Sequence, residues 1–222
     1  MQEETSPGRA GRSARSLSAR KMPHQSRGRE TIETILKAAA IQIEKGGLDG
    51  LTTRRIAQEA GVSVGALYEY FPNKESIILA LAQRWMSQIY EVTEAVHPRH
   101  GATHDLLTYL NKSIDCIVPL YRDQPGLSAI NTMLTSAPDL RAAAEEHRRR
   151  FVELVVDSIS MLLPNAAVAD IAVLARTLQI IGHGMISEAY VRDAPHPEKF
   201  MESLKVCLFA LAARLMLAPG CP

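Results

Sequence analysis

Apolar residues recur every three or four positions along most of the chain, and no stretch sustains the strict alternation of a half-buried strand. From Glu30 to Lys45, the residues Ile32, Leu36, Ala39 and Ile43 fall on one helical face, and Gly46 and Gly47 end it. Two short helices are predicted next. Arg54–Ala60 follows Thr53, which stands where an N-cap is needed, and Val64–Tyr70 follows Ser63, another capping residue. Gly61 separates the two. Phe71 and Pro72 close the second of them, because proline disfavours helix on its N-terminal side. Asn73 then caps a long helix in which Ile78, Leu81, Trp85, Ile89, Val92 and Val96 keep three- and four-residue steps. His97, Pro98 and Gly101 interrupt the pattern. Further helices are predicted over 105–121, 127–135, 139–163, 168–191 and 198–217, with Gly126, Pro138, Pro164, Pro195 and Pro197 at the breaks. The expected fold class is all-α, without a 20–50-residue repeat. A boundary near Pro72–Lys74 divides an N-terminal three-helix unit, 30–73, from a larger helical unit, 74–222.

The turn at Gly61 joins its two helices as a helix-turn-helix does. Ile56, Ala57 and Ala60 supply the packing face of the first, and Val62, Leu67 and Phe71 that of the second. Val64, Gly65, Ala66, Tyr68, Glu69 and Tyr70 are left facing outward. A recognition helix needs such a face, with its N-terminal end towards the bases.

The chain has 222 residues, of which 46% are hydrophobic and 5% aromatic, enough for a core and weighted towards helix. The net charge of +1 conceals a skew. Residues 1–29 carry seven basic side chains against Glu3 and Glu4, with Leu17 as their single leucine. This segment is expected to be a disordered basic arm. Three uses are open to it: a solvated tail, an arm that follows DNA phosphates or enters a minor groove, or an organellar transit peptide. Cys116, Cys207 and Cys221 are odd in number and form no C-x-x-C, which argues against a disulfide framework or a cysteine zinc site. No apolar run reaches the ~18–20 residues of a membrane span, and no secretory signal is read at the start.

The stretch LTTRRIAQEAGVSVGALYEYFPNKESI, Leu51 to Ile77, resembles the TetR family of bacterial transcriptional regulators. The preceding helix, with Ile32, Leu36 and Ala39, fits as well. The resemblance implies a DNA-binding regulator of the bacterial cytoplasm that is not an enzyme. It also implies contacts at particular positions. Thr53 corresponds to a phosphate contact at the start of the second helix. Ser63, Val64, Gly65 and Ala66 lie where the recognition helix meets base edges and nearby backbone. Tyr68 and Tyr70 correspond to aromatic contacts with phosphate and thymine methyls, and Lys74 to a phosphate-holding lysine. Arg54 is expected to add a phosphate contact. Positions 64 and 66 are often polar in the family, whereas here they are Val and Ala, so thymine-methyl contacts would replace hydrogen bonds. Glu69 reads best as solvent-facing.

The last helix is apolar on more than one face: Leu204, Leu208, Leu211 and Leu215 form one stripe, and Val206, Phe209, Ala213 and Leu217 cover much of the rest. The helix before it carries Ile171, Leu174, Leu178, Ile181 and Met185, with Gly182 and Gly184 permitting close approach. A homodimer through 168–191 and 198–217 is therefore expected, reading a near-palindromic double-stranded operator. The family resemblance implies a pocket for a small apolar effector, for which Trp85, Tyr109, Tyr121, Met133, Phe151 and His183 are the candidate linings. A repressor released by that effector is the leading expectation, and an activator or architectural DNA binder without a small ligand is the alternative. No G-x-S-x-G, P-loop, H-E-x-x-H or dinucleotide fingerprint is present. Neither a cofactor nor a metal is expected; Pro98 and Gly101 interrupt the helix, so the spacing of His97, His100 and His104 does not fix a common face. Glu145–Arg150 reads as a solvated, salt-bridged helix face.

Overall fold

A computed structural model describes residues 26–101, 103–136 and 138–217. Among them are nine α-helices, one 3-10 turn and no strand. Helix α1 spans Ser26–Gly46, α2 Thr53–Glu59, α3 Val64–Tyr70 and α4 Lys74–Ala95. After the 3-10 turn at Pro98–His100 come α5 (Leu106–Arg122), α6 (Leu127–Ser136), α7 (Pro138–Leu162), α8 (Val168–Tyr190) and α9 (Pro197–Met216).

Side-chain caps set the starts of α2, α3, α4 and α5. Ser63 Oγ accepts from the Ala66 amide at 3.0 Å, and Asp105 Oδ1 from the Thr108 amide at 2.8 Å. At α4, Asn73 Oδ1 accepts from the Ser76 amide at 2.8 Å while Ser76 Oγ faces the Asn73 amide, a reciprocal capping box. Each such cap contributes about 1 kcal/mol. The cap of α2 differs from expectation. Thr52, in extended backbone, accepts from the Arg55 amide at 3.3 Å, and Thr53 is the first helical residue. The Thr53 hydroxyl is thereby left for another partner. Helix α1 also begins at Ser26, four residues ahead of the expected start. The rest of the basic arm, residues 1–25, lies outside the described residues.

A single apolar core runs through the described helices. Ile35, Ala39 and Ile43 of α1 pack in it with Ile56 of α2, Leu67 and Phe71 around α3, and Ile77 of α4. The same core continues through Leu81, Trp85 and Ile89 of α4 to Tyr109, Ile159, Leu174 and Leu208. Each fully buried aliphatic or aromatic side chain contributes roughly 1.5–3 kcal/mol. Helix α4 therefore belongs to both predicted units, flooring the three-helix unit at its start and entering the larger bundle further on.

A buried histidine ties down the far side of the bundle. His97 ends α4 fully buried, with Nε2 3.1 Å from Asp157 Oδ2 of α7, while its Nδ1 accepts from the Arg99 amide at 3.1 Å. With Nδ1 accepting, the proton sits on Nε2 and is donated to Asp157. This use of His97 ties α4 to α7. Among the described residues, no group of three or more His, Cys, Asp or Glu side chains is arranged to hold a metal ion.

Helices α8 and α9 pack on each other and on α7 and α5. The expected stripe of α8 does not face outward. Ile171, Leu174 and Leu178 are buried in the chain's own core, and Ile181 and Met185 pack against it. The uncovered apolar side is the opposite one. Val173 is 67% and Ile180 58% exposed on α8, and Val206 is 68% exposed on α9. Among the described residues, no helix is long and apolar enough to cross a membrane.

Candidate functional site

Gly61 makes the sharp turn between α2 and α3. Its φ of +67° is in the left-handed region, where a side chain is strained. The Val62 amide then donates to Ala57 O at 3.0 Å and the Gly61 amide to Gln58 O at 3.2 Å, which closes α2 with a Schellman motif. Leu67, fully buried, anchors α3 in the core. With Leu67 inward, Ser63, Val64, Gly65, Tyr68 and Glu69 are exposed, and Ala66 is half-buried.

The predicted DNA-contact residues are all exposed or half-buried, with two qualifications. Tyr70 is half-buried against the core rather than fully outward. The Ser63 hydroxyl is already engaged as the α3 cap. Thr53 Oγ1 lies 3.0 Å from the Tyr68 hydroxyl, a link between the start of α2 and the outer face of α3. Arg54 is exposed beside it, and Lys74 is half-buried at the first residue of α4. Gly65 has no internal reason to be glycine. A Cβ there would meet only Ser63 Oγ, at 3.8 Å.

A cavity of about 180 Å³ opens between α4, α5, α6, α7 and α8, with Leu208 of α9 at its edge. Trp85, Tyr109, Tyr121, Phe151 and His183 of the expected lining all border it. Met133 does not. On α6 the cavity is reached by Asn131 and Leu134, which are three residues apart and so share a face, while Met133 packs half-buried against the core. Trp85 and Tyr121 meet edge to face, with ring centroids 5.1 Å apart. The Tyr121 hydroxyl reaches His183 Nδ1 at 2.7 Å. Burial raises the Tyr121 phenol, so it keeps its proton and can donate.

Sequence reasoning missed His147, Arg148 and Gln179. Part of the Glu145–Arg150 run behaves as expected, since Arg149 pairs with Glu146 at 2.7 Å and Glu153 at 2.6 Å, and Arg148 pairs with Glu145. Yet His147 and Arg148 also border the cavity. The usable signal was Phe151, one helical turn on from both, which brings that side of α7 inward. Burial, followed by the charges of Arg150, His183 and Arg148, pushes the His147 imidazole down to about 4. His183 is exposed at one end of the cavity in the single chain, and burial of its ring and Arg148 lower it too. Both imidazoles are therefore neutral near pH 7, and among the described residues no carboxylate borders the cavity. Among the described residues, two buried polar atoms of lining residues lack hydrogen-bond partners: Trp85 Nε1 and Gln179 Oε1. An unmade hydrogen bond of this kind costs about 1–3 kcal/mol, and each one calls for an explanation.

This arrangement matches known proteins along most of its length. Residues 35–81 match the family model "Bacterial regulatory proteins, tetR family", and residues 105–211 match "Tetracyclin repressor-like, C-terminal domain". The chain is 40% identical over 55 residues to the class A tetracycline repressor protein from transposon 1721 of Escherichia coli, covering 25% of this chain and 26% of that one. It is 32% identical over 100 residues to the nucleoid occlusion factor SlmA of Pasteurella multocida, covering 43% and 48%. The chain thus spans about half or less of the length of these curated relatives. The solved structures align far more completely. A TetR-family transcriptional regulator from Streptomyces coelicolor superposes with a TM-score of 0.63 at 25% identity, over 83% of this chain and 99% of that one. One from Syntrophomonas wolfei gives 0.69 at 19% identity, over 86% and 98%, a likeness of fold. The exposed recognition helix, the helical bundle behind it and the two matching family models lead to one conclusion: the chain belongs to the TetR family of DNA-binding transcriptional regulators.

Proposed function

We propose that the protein is a dimeric repressor that holds a near-palindromic operator and leaves it when a small molecule enters the cavity. One observation carries this reading. Helix α4 bears Lys74 at its first residue, against the recognition unit, and Trp85, Met86, Ile89 and Thr93 further along it border the cavity. A molecule that fills the cavity acts on the same rigid rod that seats the DNA-contact surface. Ligand and DNA then favour different settings of α4, and the ligand's differential affinity for the two settings sets the size of the switch. The uncovered apolar side of α8 and α9 supports pairing with a second copy, which would present two recognition helices to half-sites roughly 34–36 Å apart. Such a regulator works in the bacterial cytoplasm, where its DNA is.

The residues proposed to meet DNA are Thr53, Arg54, Ser63, Val64, Gly65, Ala66, Tyr68, Tyr70 and Lys74. Selection from random duplex DNA, followed by fluorescence anisotropy across a salt series, tests the reading. The expected result is an enriched inverted repeat bound by two chains, with affinity that falls steeply with salt. Salt-dependent binding without an enriched sequence would overturn it.

Similarity to the nucleoid occlusion factors favours a second reading, a DNA-binding role at the nucleoid without a small ligand. Chromosome-wide occupancy separates the two. A regulator of this proposed kind occupies a few promoters, and the second reading requires sites spread along the chromosome.

A further inference from the structure

The helix-turn-helix unit has no excess of positive charge. From Gly46 to Ile77 the basic side chains are Arg54, Arg55 and Lys74, and the acidic ones are Asp49, Glu59, Glu69 and Glu75. Helix α3 contains no Lys or Arg, and Glu69 is exposed on it. The Arg55 guanidinium donates to Gly50 O at 3.3 Å, and Lys74 is half-buried. Double-stranded DNA carries one negative charge for about every 1.7 Å of its axis, and neutralising its phosphates supplies the sequence-independent part of a protein's affinity. A unit whose acids outnumber its cations exerts no net long-range attraction on such a duplex.

The bundle does not make up the deficit. From Ile78 onward 13 basic side chains stand against 15 acidic ones. Arg148, Arg149 and Arg192 are paired with Glu145, Glu146 and Glu188. The remaining cations are N-terminal. Residues 5–25 hold Arg9, Arg12, Arg15, Arg20 and Lys21, with no Asp or Glu among them. Leu17 and Met22 are the large aliphatic side chains of this stretch, too few to form an apolar stripe for a protein groove. A polyanion is the partner that its composition fits.

The point where this stretch joins the fold is defined. It leads into α1 at Ser26. Near its other end, α1 docks on the bundle, where Glu44 Oε2 accepts from the Gly126 amide at the start of α6. From Ser26 to Glu44 the helix runs about 27 Å. The basic stretch thus joins α1 at the end away from the α6 contact, on a helix that packs against α2. A chain of 25 residues spans at most about 80–90 Å, more than two turns of duplex, so reach does not limit it.

We propose that residues 5–25 are a second DNA-binding element, which sets Arg9, Arg12, Arg15, Arg20 and Lys21 on the phosphates of the duplex beside the sequence read by α3. The proposal rests on the chain being a DNA-binding regulator and is independent of whether it is a repressor. The helix-turn-helix unit then supplies the choice of sequence, and the N-terminal cations supply much of the attraction.

The test uses the full chain with Arg9→Gln, Arg12→Gln, Arg15→Gln, Arg20→Gln and Lys21→Gln combined. Circular dichroism and the melting temperature should match the parent, because no helix of the fold is altered. Fluorescence anisotropy between 50 and 200 mM salt gives affinity for two duplexes of equal length. One carries the selected sequence with ten flanking base pairs on each side, and the other is random. With all five cations on phosphates, the slope of log affinity against log salt becomes shallower by about 4–5 for each chain bound. The expected result is at least half that change on both duplexes, with binding at least tenfold weaker at 100 mM salt. Changing the four arginines to lysine instead should keep the parent slope, since charge sets counterion release. Trimming the flanks should weaken the parent and leave the glutamine variant unchanged. A slope within one unit of the parent on both duplexes would overturn the proposal, as a solvated tail or a stretch held on the chain's own acids gives that result. Equal weakening of parent and variant on trimming would overturn the placement beside the site. If selection returns no sequence, the operator reading fails, and the slope on the random duplex decides the proposal by itself.

Discussion

Thr53 Oγ1 and the Tyr68 hydroxyl stand 3.0 Å apart, so two residues on the proposed DNA surface are hydrogen-bonded to each other before any DNA arrives. The bond spans 15 residues of sequence and pins the start of α2 to the outer face of α3. Tyr68 is 41% exposed, and a bond in that setting adds little to folding. It fixes the side chain's direction instead. Tyr68→Phe is expected to leave the melting temperature within about 2 °C of the parent, since it removes no buried group. Operator affinity should fall about tenfold by anisotropy, as two hydrogen bonds to the hydroxyl are lost. In a double-mutant cycle, Thr53→Ala combined with Tyr68→Phe should cost less than the two single losses added together. Strict additivity would mean that the bond does not organise the contact.

Gly126 joins α6 to α1. Its amide donates to Glu44 Oε2 at 2.6 Å, its φ is +74°, and an added Cβ would sit 2.9 Å from Ile43 Cγ2. Gly47 also has a positive φ, of +64°, but open space where its Cβ would go. The pair separates backbone strain from crowding. Gly47→Ala should cost about 1–2 kcal/mol from the left-handed backbone alone. Gly126→Ala carries that and the overpacking, about 2–5 kcal/mol together. Urea melts of both variants check this, and equal losses would count against the packing role of Gly126.

These two sites mark the limit of what a sequence can disclose. Helix positions were legible because periodicity and capping act over three or four residues: Ser63, Asn73 and Asp105 all cap within one turn. The choice between Thr52 and Thr53 was not legible, because two adjacent threonines offer the same hydroxyl and the backbone decides. The early start of α1 was hidden as well, since Ser26–Glu30 has no apolar residue to set a phase. The outward side of α3 could be read because Leu67 leaves its neighbours only one way to face. The cavity was half legible. Large aromatic residues pointed to it, but Gln179 and Arg148 look like surface residues until α7 and α8 are packed together. That Trp85 Nε1 is unpartnered depends on every neighbouring element at once.

Acid should weaken the fold in a window set by histidine. The folded chain holds His147 at about 4, whereas its ordinary value is 6.5. Between those values the unfolded chain binds more protons than the folded one. Stability is therefore full above about pH 6.5 and falls as the pH drops towards 4. This half-buried group accounts for on the order of 2 kcal/mol over that window. His97, lowered by burial and then by Arg99, acts in the same direction. Asp105 and Asp123, lowered below 3.8 by hydrogen bonds, lose their contributions only at more acid pH. Urea midpoints at pH 7.5, 6 and 5, taken at fixed protein concentration, should decrease in that order. They should decrease less steeply in His147→Gln. A midpoint that stays constant down to pH 5 would rule out the depressed imidazoles.

The proposed pairing of two chains can be tested without touching the core. Ile180 and Val206 are 58% and 68% exposed on the uncovered side of α8 and α9, while their neighbours Leu178 and Leu204 are buried. A charge at either exposed position is solvated in a single chain, so it should leave the fold intact. At the centre of a helix-helix interface the same charge is desolvated without a partner, which costs several kcal/mol and is incurred twice in a symmetric dimer. Ile180→Glu and Val206→Glu are therefore expected to shift the solution mass from twice the 24.4 kDa chain towards the single chain, with unchanged helical circular dichroism. Light scattering behind size-exclusion chromatography gives that mass. Operator binding should fail in the same variants, because one recognition helix reads only one half-site. A parent protein that runs as a single chain at micromolar concentration would remove the dimer from the proposed function. Variants that stay dimeric would move the interface to another face.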